Sequence, residues 1–294
     1  MTPFALVEPA SLRDAVAALD PDDSAVRAIA GGTALLLMMK ASVFRPVRLV
    51  SLRRVEPQAS RIVLAADSTL EAGALATLSA LEQTAGLRDA FPVIAQTLRT
   101  LSNVRVRNVA TVGGHLAHAD PHMDLPPVLA ALGARVEVVG PDGARTVAVE
   151  ALFAGYYETV LAKNELIAGL TVPALGTKRA AYLKVTTRSA DDWPALGVAV
   201  ALEADGSHIR GADLFISAAT EKPIRLRAAE AVLRGADADE ATLRRAGAAA
   251  AGEIETIADA RGSASYKKEL VRVFLARAVR KALGLGDAHG RAGR

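Results

Sequence analysis

A pair of adjacent glycines stands near the N-terminus of the 294-residue chain, between a predicted strand at residues 26–30 and a predicted short buried helix at residues 34–40. Successive glycines let backbone N–H groups converge, and the start of a helix adds partial positive charge. The segment is therefore typical of a pyrophosphate site, with a tight turn as the alternative. Its residues are Ala30, Gly31, Gly32, Thr33, Ala34 and Leu35.

A second diglycine follows about eighty residues later, in a predicted loop at residues 102–122. Gly113 and Gly114 are flanked there by groups that can hydrogen-bond phosphate and hydroxyl oxygens. Two such segments predict one extended ligand held by two subdomains, and a pair of plain turns is the alternative. Neither segment has the spacing of a G-x-G-x-x-G fingerprint or of a P-loop.

A cluster of histidines and carboxylates lies just beyond the second diglycine and has the residue types of a metal site. Zinc would need further ligands, yet His208 falls on a predicted turn and His289 in the tail. Pro121 also interrupts regular helical spacing. A metal-dependent hydrolase remains an alternative interpretation of this cluster. Its members are His115, His118, Asp120, His122 and Asp124.

Lys184 is a lysine inside an apolar, strand-like stretch at residues 182–187. A buried lysine needs an anionic or electron-rich partner. An exposed lysine on a sheet face is the alternative.

The composition narrows the classes of protein. The chain is 51% hydrophobic and 23% charged, which is typical of a globular protein with a substantial core. Its 35 basic and 32 acidic residues give no strong basic excess, so nucleic-acid binding is not indicated. The absence of cysteine excludes disulfides and cysteine-ligated clusters. With no signal-peptide pattern and no apolar run of about 20 residues, we expect a cytoplasmic protein without a transmembrane segment.

Alternating and helical periodicities predict the elements that position these residues. An α/β unit extends to about residue 55, and residues 174–179 form the best linker. Further strands are predicted at 61–65, 70–73, 135–139, 145–149 and 165–172, with a hairpin turn at 140–143, and helices at 75–84, 90–101 and 125–132. Beyond the linker, an antiparallel meander at 182–187, 194–202 and 209–218 precedes helices at 226–234, 239–251 and 265–283.

Taken in order, these segments resemble the FAD-binding medium subunit of molybdenum hydroxylases, the family of xanthine dehydrogenase and aerobic carbon monoxide dehydrogenase. Ala110 and His115 depart from it, since many relatives have Gly and Asn there. The resemblance is carried by residues 30–35 with 39–40, 107–114, 120–127 with 132–134, 184–188 and 216–223.

The resemblance implies an α+β fold of two α/β FAD-binding subdomains followed by a C-terminal domain. That domain is a three-stranded antiparallel sheet with a helical bundle. The expected bounds are 1–55 and 56–175 for the two FAD-binding subdomains, 176–285 for the C-terminal domain and 286–294 for a flexible tail.

The resemblance also implies roles for single residues. Both diglycine segments would hold the pyrophosphate of FAD, Asp124 would accept hydrogen bonds from ribityl or ribose hydroxyls, Lys184 would lie near the isoalloxazine, and Ile167 would pack against a flavin face. The expected cofactor-binding residues are Ala30, Gly31, Gly32, Thr33, Ala34, Leu35, Leu101, Ala110, Thr111, Gly113, Gly114, His115, Ala117, His118, Asp124, Ile167 and Lys184.

The function implied is that of an electron-transfer subunit of an oxidoreductase. A large partner subunit would carry molybdopterin and the substrate site, and a small one two [2Fe-2S] clusters. Electrons would pass to NAD⁺, a quinone or another acceptor, in a dimer of three-subunit units. No catalytic acid, base or nucleophile is then required of this chain. A stand-alone flavin oxidoreductase is a further alternative.

Overall fold

The computed structural model describes residues 3–285, and the predicted tail at 286–294 lies outside them. The strands are β1 (Ala5–Val7), β2 (Val26–Ile29), β3 (Arg48–Ser51), β4 (Ile62–Leu64), β5 (Leu70–Gly73), β6 (Arg135–Gly140), β7 (Gly143–Ala148), β8 (Phe153–Gly155), β9 (Glu158–Thr159), β10 (Leu166–Val172), β11 (Arg179–Val185), β12 (Leu196–Asp205), β13 (His208–Ser217), β14 (Ile224–Arg225) and β15 (Ala236–Asp237).

The α-helices are α1 (Leu12–Ala18), α2 (Leu35–Lys40), α3 (Leu78–Glu82), α4 (Leu87–Ala90), α5 (Pro92–Thr100), α6 (Val104–Arg107), α7 (Val112–His118), α8 (Leu125–Ala131), α9 (Val149–Leu152), α10 (Arg227–Leu233), α11 (Glu240–Glu253) and α12 (Ala264–Leu283). Two 3₁₀ turns, Leu52–Arg54 and Pro57–Ser60, follow β3.

The chain forms two compact units, and it passes between them more than once. The first unit comprises the described residues up to Leu87 together with Ser102–Ala119 and Ala134–Ala174. The second comprises Arg88–Leu101, Asp120–Gly133 and the described residues from Leu175 onward. The four sequence ranges expected from the resemblance stay a prediction.

Within the first unit, β1, β3 and β2 form a parallel sheet in that order. Helix α1 begins after Ser11, because the Ser11 hydroxyl accepts the Asp14 N–H at 3.0 Å. Its apolar side packs into a core with Val26 and Val50. This packing fixes the end of β2, from which the first diglycine segment departs.

The second sheet of the first unit is antiparallel, in the order β4-β5-β10-β6-β7. The predicted hairpin between β6 and β7 is confirmed, with Gly140 paired to Gly143. Strand β10 has an irregular register between Ile167 and Gly169. The short hairpin of β8 and β9 was not predicted, since strands of three and two residues show no alternation.

The predicted loop at 102–122 is wrong, because the segment contains α6 and α7. Asn103 and Thr111 cap these helices by accepting the N–H groups of Val106 and Gly114, both at 3.1 Å. The predicted helix at 75–84 begins only at α3, after Thr77. Residues 74 and 75 instead form a turn after β5, and the Leu75 N–H donates to the carbonyl of Ala59 in the second 3₁₀ turn at 2.7 Å.

The second unit contains an antiparallel sheet, β11-β12-β13-β14, with β15 also paired to β13. The predicted three-stranded meander is confirmed in β11, β12 and β13. Seven consecutive residues at the start of β12 are buried, because helices α8 and α12 both contact this strand. Strands β14 and β15 were missed because each has two residues.

Candidate functional site

The first diglycine segment joins the end of β2 to the start of α2. Gly32 has a φ of +71°, a backbone conformation that favours glycine. Within residues 3–285, no hydrogen bond is donated by the N–H groups of the five residues from Gly31 to Leu35. Backbone N–H groups that lack a partner in the chain require water or a ligand. The segment is half-buried and can supply five donors to an anion.

The two diglycine segments lie side by side within the first unit. A Cβ atom on Gly31 would stand 2.1 Å from the carbonyl oxygen of Val109 and 2.9 Å from the Cα of Ala110. A Cβ atom on Gly114 would stand 3.6 Å from the Cβ of Ala30. Gly31 therefore permits an approach of two backbones that any side chain would prevent. The structure thus brings both predicted segments to one place.

The second diglycine differs from its predicted form, because it occupies the first turn of α7. The Gly113 N–H donates to the Ala74 carbonyl at 2.8 Å, and the Gly114 N–H to the Thr111 hydroxyl at 3.1 Å. These two donors are committed within the chain, which corrects the expectation that both present N–H bonds to a diphosphate. A Cβ on Gly113 would lie 2.6 Å from the Ala74 Cβ, so Gly113 permits close packing.

The other predicted residues of α7 share one side of the helix. Gly114, Ala117 and His118 are spaced three and four residues apart, and the first two are exposed. The His118 ring contacts the Tyr157 ring edge-on, with centroids 5.2 Å apart. Its neighbour His115 is half-buried, and Ala110, before the helix, is buried.

Ile167 is buried within β10. The carbonyl of Ala168, the next residue, accepts the Ala74 N–H at 2.9 Å. Ala74 therefore links β10 to Gly113, and this link places Ile167 in the same part of the first unit as the second diglycine.

In the second unit, Asp124 and Lys184 form a buried ion pair. Lys184 Nζ donates to Asp124 Oδ2 at 2.9 Å and to the Thr100 carbonyl at 2.8 Å. The two side chains are only 8% and 5% exposed for Lys184 and Asp124. Of the two interpretations of Lys184, the buried lysine with an anionic partner is the one observed. Leu101, next to Thr100, is buried at the end of α5.

Tyr182 completes this group by donating its hydroxyl to Asp124 Oδ1 at 2.6 Å. Burial raises the pKa of the Asp124 carboxyl, and the nearby charge of Lys184 only partly opposes this effect. Burial also raises the pKa of the Tyr182 hydroxyl well above 10, so it remains a donor near neutral pH. Both oxygens of Asp124 are thus fixed by donors from β11.

Sequence reasoning missed several of these contacts. Tyr182 lies in an apolar strand, 58 residues from Asp124, and nothing local marks its hydroxyl as a partner. Thr100, Val109 and Ala74 act through backbone atoms, which leave no signal in residue type. The one sequence signal was the position of Tyr182, two residues before Lys184 in the same predicted strand.

Comparison with known families assigns the chain. A family model described as the FAD binding domain in molybdopterin dehydrogenase matches residues 2–175. A second, the CO dehydrogenase flavoprotein C-terminal domain, matches residues 181–282. The chain belongs to the molybdopterin dehydrogenase flavoprotein family.

Relatives of this flavoprotein are similar along nearly their whole length. The carbon monoxide dehydrogenase medium chain of Afipia carboxidovorans is 31% identical, over 93% of this chain and 94% of that protein. The glyceraldehyde dehydrogenase medium chain of Sulfolobus acidocaldarius is 28% identical, over 95% and 98%. A chain from the structure of carbon monoxide dehydrogenase from Hydrogenophaga pseudoflava superposes with a TM-score of 0.91 at 31% identity, covering 97% of this chain and 99% of that one.

These findings confirm the predicted family, the α+β fold class, FAD as the family's cofactor and the oxidoreductase class of its members. The relatives are named as medium chains of dehydrogenases. Among residues 3–285, each helix is too short or too polar to cross a bilayer.

The histidine cluster has a different arrangement from a metal site. Within residues 3–285, no group of three or more histidine or carboxylate side chains is placed to hold a metal ion. His122 contacts Asp120 through Nδ1 at 3.0 Å and Asp259 through Nε2 at 2.7 Å, and the Trp193 ring stacks on it. Both ring nitrogens of His122 therefore contact carboxylates. His122 is not available as the metal ligand that the metallohydrolase alternative requires.

Asp259 has a second partner, the fully buried Lys267, whose Nζ donates a hydrogen bond to Asp259 Oδ2 at 2.7 Å. Burial acts to raise the pKa of Asp259, but hydrogen bonds from Lys267 and His122 outweigh it and lower the pKa to about 2 from 3.8. The carboxylate is therefore more readily ionised in the folded chain than in the unfolded chain. Its contribution to stability is complete above pH 3.8 and disappears as the pH falls through about 2.

We therefore expect the free energy of unfolding to decrease as the pH is lowered from about 4 to about 2. This pH dependence should be weaker in the Asp259→Asn variant. The measurement is urea unfolding followed by circular dichroism across this range. The exposed Asp205→Asn substitution is the control and should leave the slope unchanged. An Asp259→Asn slope equal to that of the wild type would contradict the assignment.

Proposed function

We propose that this chain is the electron-transfer subunit of a molybdenum hydroxylase. In this proposal it receives electrons from [2Fe-2S] clusters on a small partner subunit and delivers them to an external acceptor by means of bound FAD. A large partner subunit carries molybdopterin and the primary substrate. One observation carries the proposal: five consecutive uncommitted N–H groups, from Gly31 to Leu35, lie beside α7 in a family whose cofactor is FAD.

The residues present fit the diphosphate of such a cofactor. The N–H groups from Gly31 to Leu35 would hold its oxygens, and the exposed side of α7 at Gly114 and Ala117 would border the same place. FAD, when bound, supplies transfer of electrons singly or in pairs. The chain's own task is to bind it, orient it and exclude water, so no general base or nucleophile is required.

Asp124, Lys184 and Tyr182 act together in this proposal. Because Tyr182 and Lys184 fix both carboxylate oxygens, the position of the ammonium group is fixed as well. A held cation near a flavin ring would favour its reduced, anionic form, which tunes the potential. Asp124 retains further lone pairs for ribityl or ribose hydroxyls.

The primary substrate would be chosen by the large subunit, so carbon monoxide, purines, N-heterocycles and aldehydes are all compatible with this chain. NAD⁺ or a quinone would serve as the acceptor. A cytoplasmic location and a dimer of three-subunit units complete the proposal.

We expect the full-length chain, purified alone, to be yellow and to hold one FAD, with at most diaphorase-like activity and no substrate hydroxylation. Visible absorbance, FAD titration and metal analysis test this. A correctly folded chain that is colourless and does not take up FAD would exclude the proposal. Stoichiometric zinc would favour the metallohydrolase, and substrate turnover by the chain alone would favour a stand-alone oxidoreductase.

A further inference from the structure

Residues 24–55 form a segment whose charged residues are all basic. Residues 24–55 contain six basic and no acidic residues, while the rest of the chain has 29 basic and 32 acidic residues. This segment contains the first diglycine and α2, so the charge around them is positive. The six residues are Arg27, Lys40, Arg45, Arg48, Arg53 and Arg54.

The same segment exposes large apolar side chains, which with two of these cations form a surface that we name the α2 face. Leu37 is 65% exposed and Val43 is 73% exposed. The helical residues are neighbours at a spacing of three and four. The turn after α2 folds back on the helix, since the Val43 N–H donates to the Met38 carbonyl at 2.9 Å. The α2 face consists of Leu36, Leu37, Lys40, Val43 and Arg45, all exposed.

The two cations of the α2 face have no counter-ion within residues 3–285. Neither Lys40 nor Arg45 forms an ion pair in residues 3–285, and Arg27 instead lies over the Phe44 ring, 5.9 Å from its centroid. An exposed apolar centre bordered by cations of one sign is a pattern of protein interfaces. A partner surface complementary to the α2 face would be apolar in the middle and rich in carboxylates at its edge.

We infer that the α2 face binds an acidic, partly apolar surface of the electron-donating subunit; this inference rests on the proposed function. Helix α2 begins two residues after Thr33, so a subunit bound here lies next to the segment proposed to hold FAD. Electron delivery requires such closeness. A second copy of this chain would oppose like charges if it used the same surface. A six-residue helix is also far shorter than the helices that lie in lipid surfaces.

The test uses the full-length chain co-expressed with the small [2Fe-2S] and large molybdopterin subunits of its complex. The variant is Lys40→Glu with Arg45→Glu, and the matched control is Arg13→Glu with Arg61→Glu, two exposed cations of the first unit outside the α2 face. We expect the α2-face variant to retain FAD and to bind the [2Fe-2S] subunit at least about tenfold more weakly. The control should assemble as the wild type does. Leu37→Ser, which changes no charge, should also weaken assembly.

Three results would overturn the inference while leaving FAD binding intact. In the first, the charge-reversed variant assembles normally. In the second, light scattering shows that the wild-type chain forms a dimer and that the variant does not. In the third, the wild-type chain binds anionic phospholipid vesicles and the variant does not. Failure of the proposed function is distinguishable, because the wild-type chain would then lack FAD.

Discussion

Replacing Gly31 by alanine should weaken FAD binding by about a hundredfold or more and destabilise the first unit. The new Cβ would lie 2.1 Å from the Val109 oxygen and 2.8 Å from its carbonyl carbon. Backbone atoms cannot rotate aside as a side chain can, so the segment itself must move. Overpacking of this kind costs about 1–3 kcal/mol. Displacing even two donors from an anion costs about 3 kcal/mol, which corresponds to the hundredfold loss.

The measurement is FAD titration by flavin fluorescence, with thermal unfolding of the same samples. Gly169→Ala is the matched control, because it is also in the first unit and its nearest neighbour would be at 3.6 Å, an ordinary contact. We expect it to bind FAD as the wild type does. If Gly31→Ala bound FAD with unchanged affinity, the approach of the two diglycine segments would have no role in the site.

The elements that follow a regular pattern were predictable from the sequence. Helix α1 carried a capping serine, the β6 and β7 hairpin carried a glycine-flanked turn, and the β11 to β13 meander carried apolar runs of strand length. Each of these signals is local in the chain. Their agreement with the structure follows from propensity and packing acting in the same direction.

The second diglycine was less predictable, since glycine is an unfavourable residue in a helix. Helix α7 forms there because Thr111 caps it and because Ala74, distant in sequence, occupies the space beside Gly113. The partners of Asp124 depend on the same kind of distant contact. Residue types therefore indicated candidate segments, while tertiary contacts decided which of their N–H groups remain available.

Replacing Asp124 by asparagine should destabilise the protein by about 3–5 kcal/mol, because Lys184 would remain buried without a counter-ion. The pKa of the Asp124 carboxyl is raised by burial, so keeping this carboxyl ionised near neutral pH reduces the free energy of unfolding. Asp124 therefore stabilises the fold by neutralising the charge of the buried Lys184. Removing both charges in Asp124→Asn with Lys184→Met should recover most of the loss, since an apolar replacement of a buried pair is often neutral.

Urea unfolding of the two single variants and the double variant gives the coupling energy of the pair. Lys163→Met, an exposed lysine of the first unit, is the control and should change stability little. A double variant whose loss of stability equals the sum of the losses in the two single variants would show that the two charges are not coupled. The same double variant tests the cofactor contact, because it is expected to fold. We expect its FAD affinity to fall by about tenfold, the loss of one charge-assisted hydrogen bond, whereas wild-type affinity would confine the pair to a structural role.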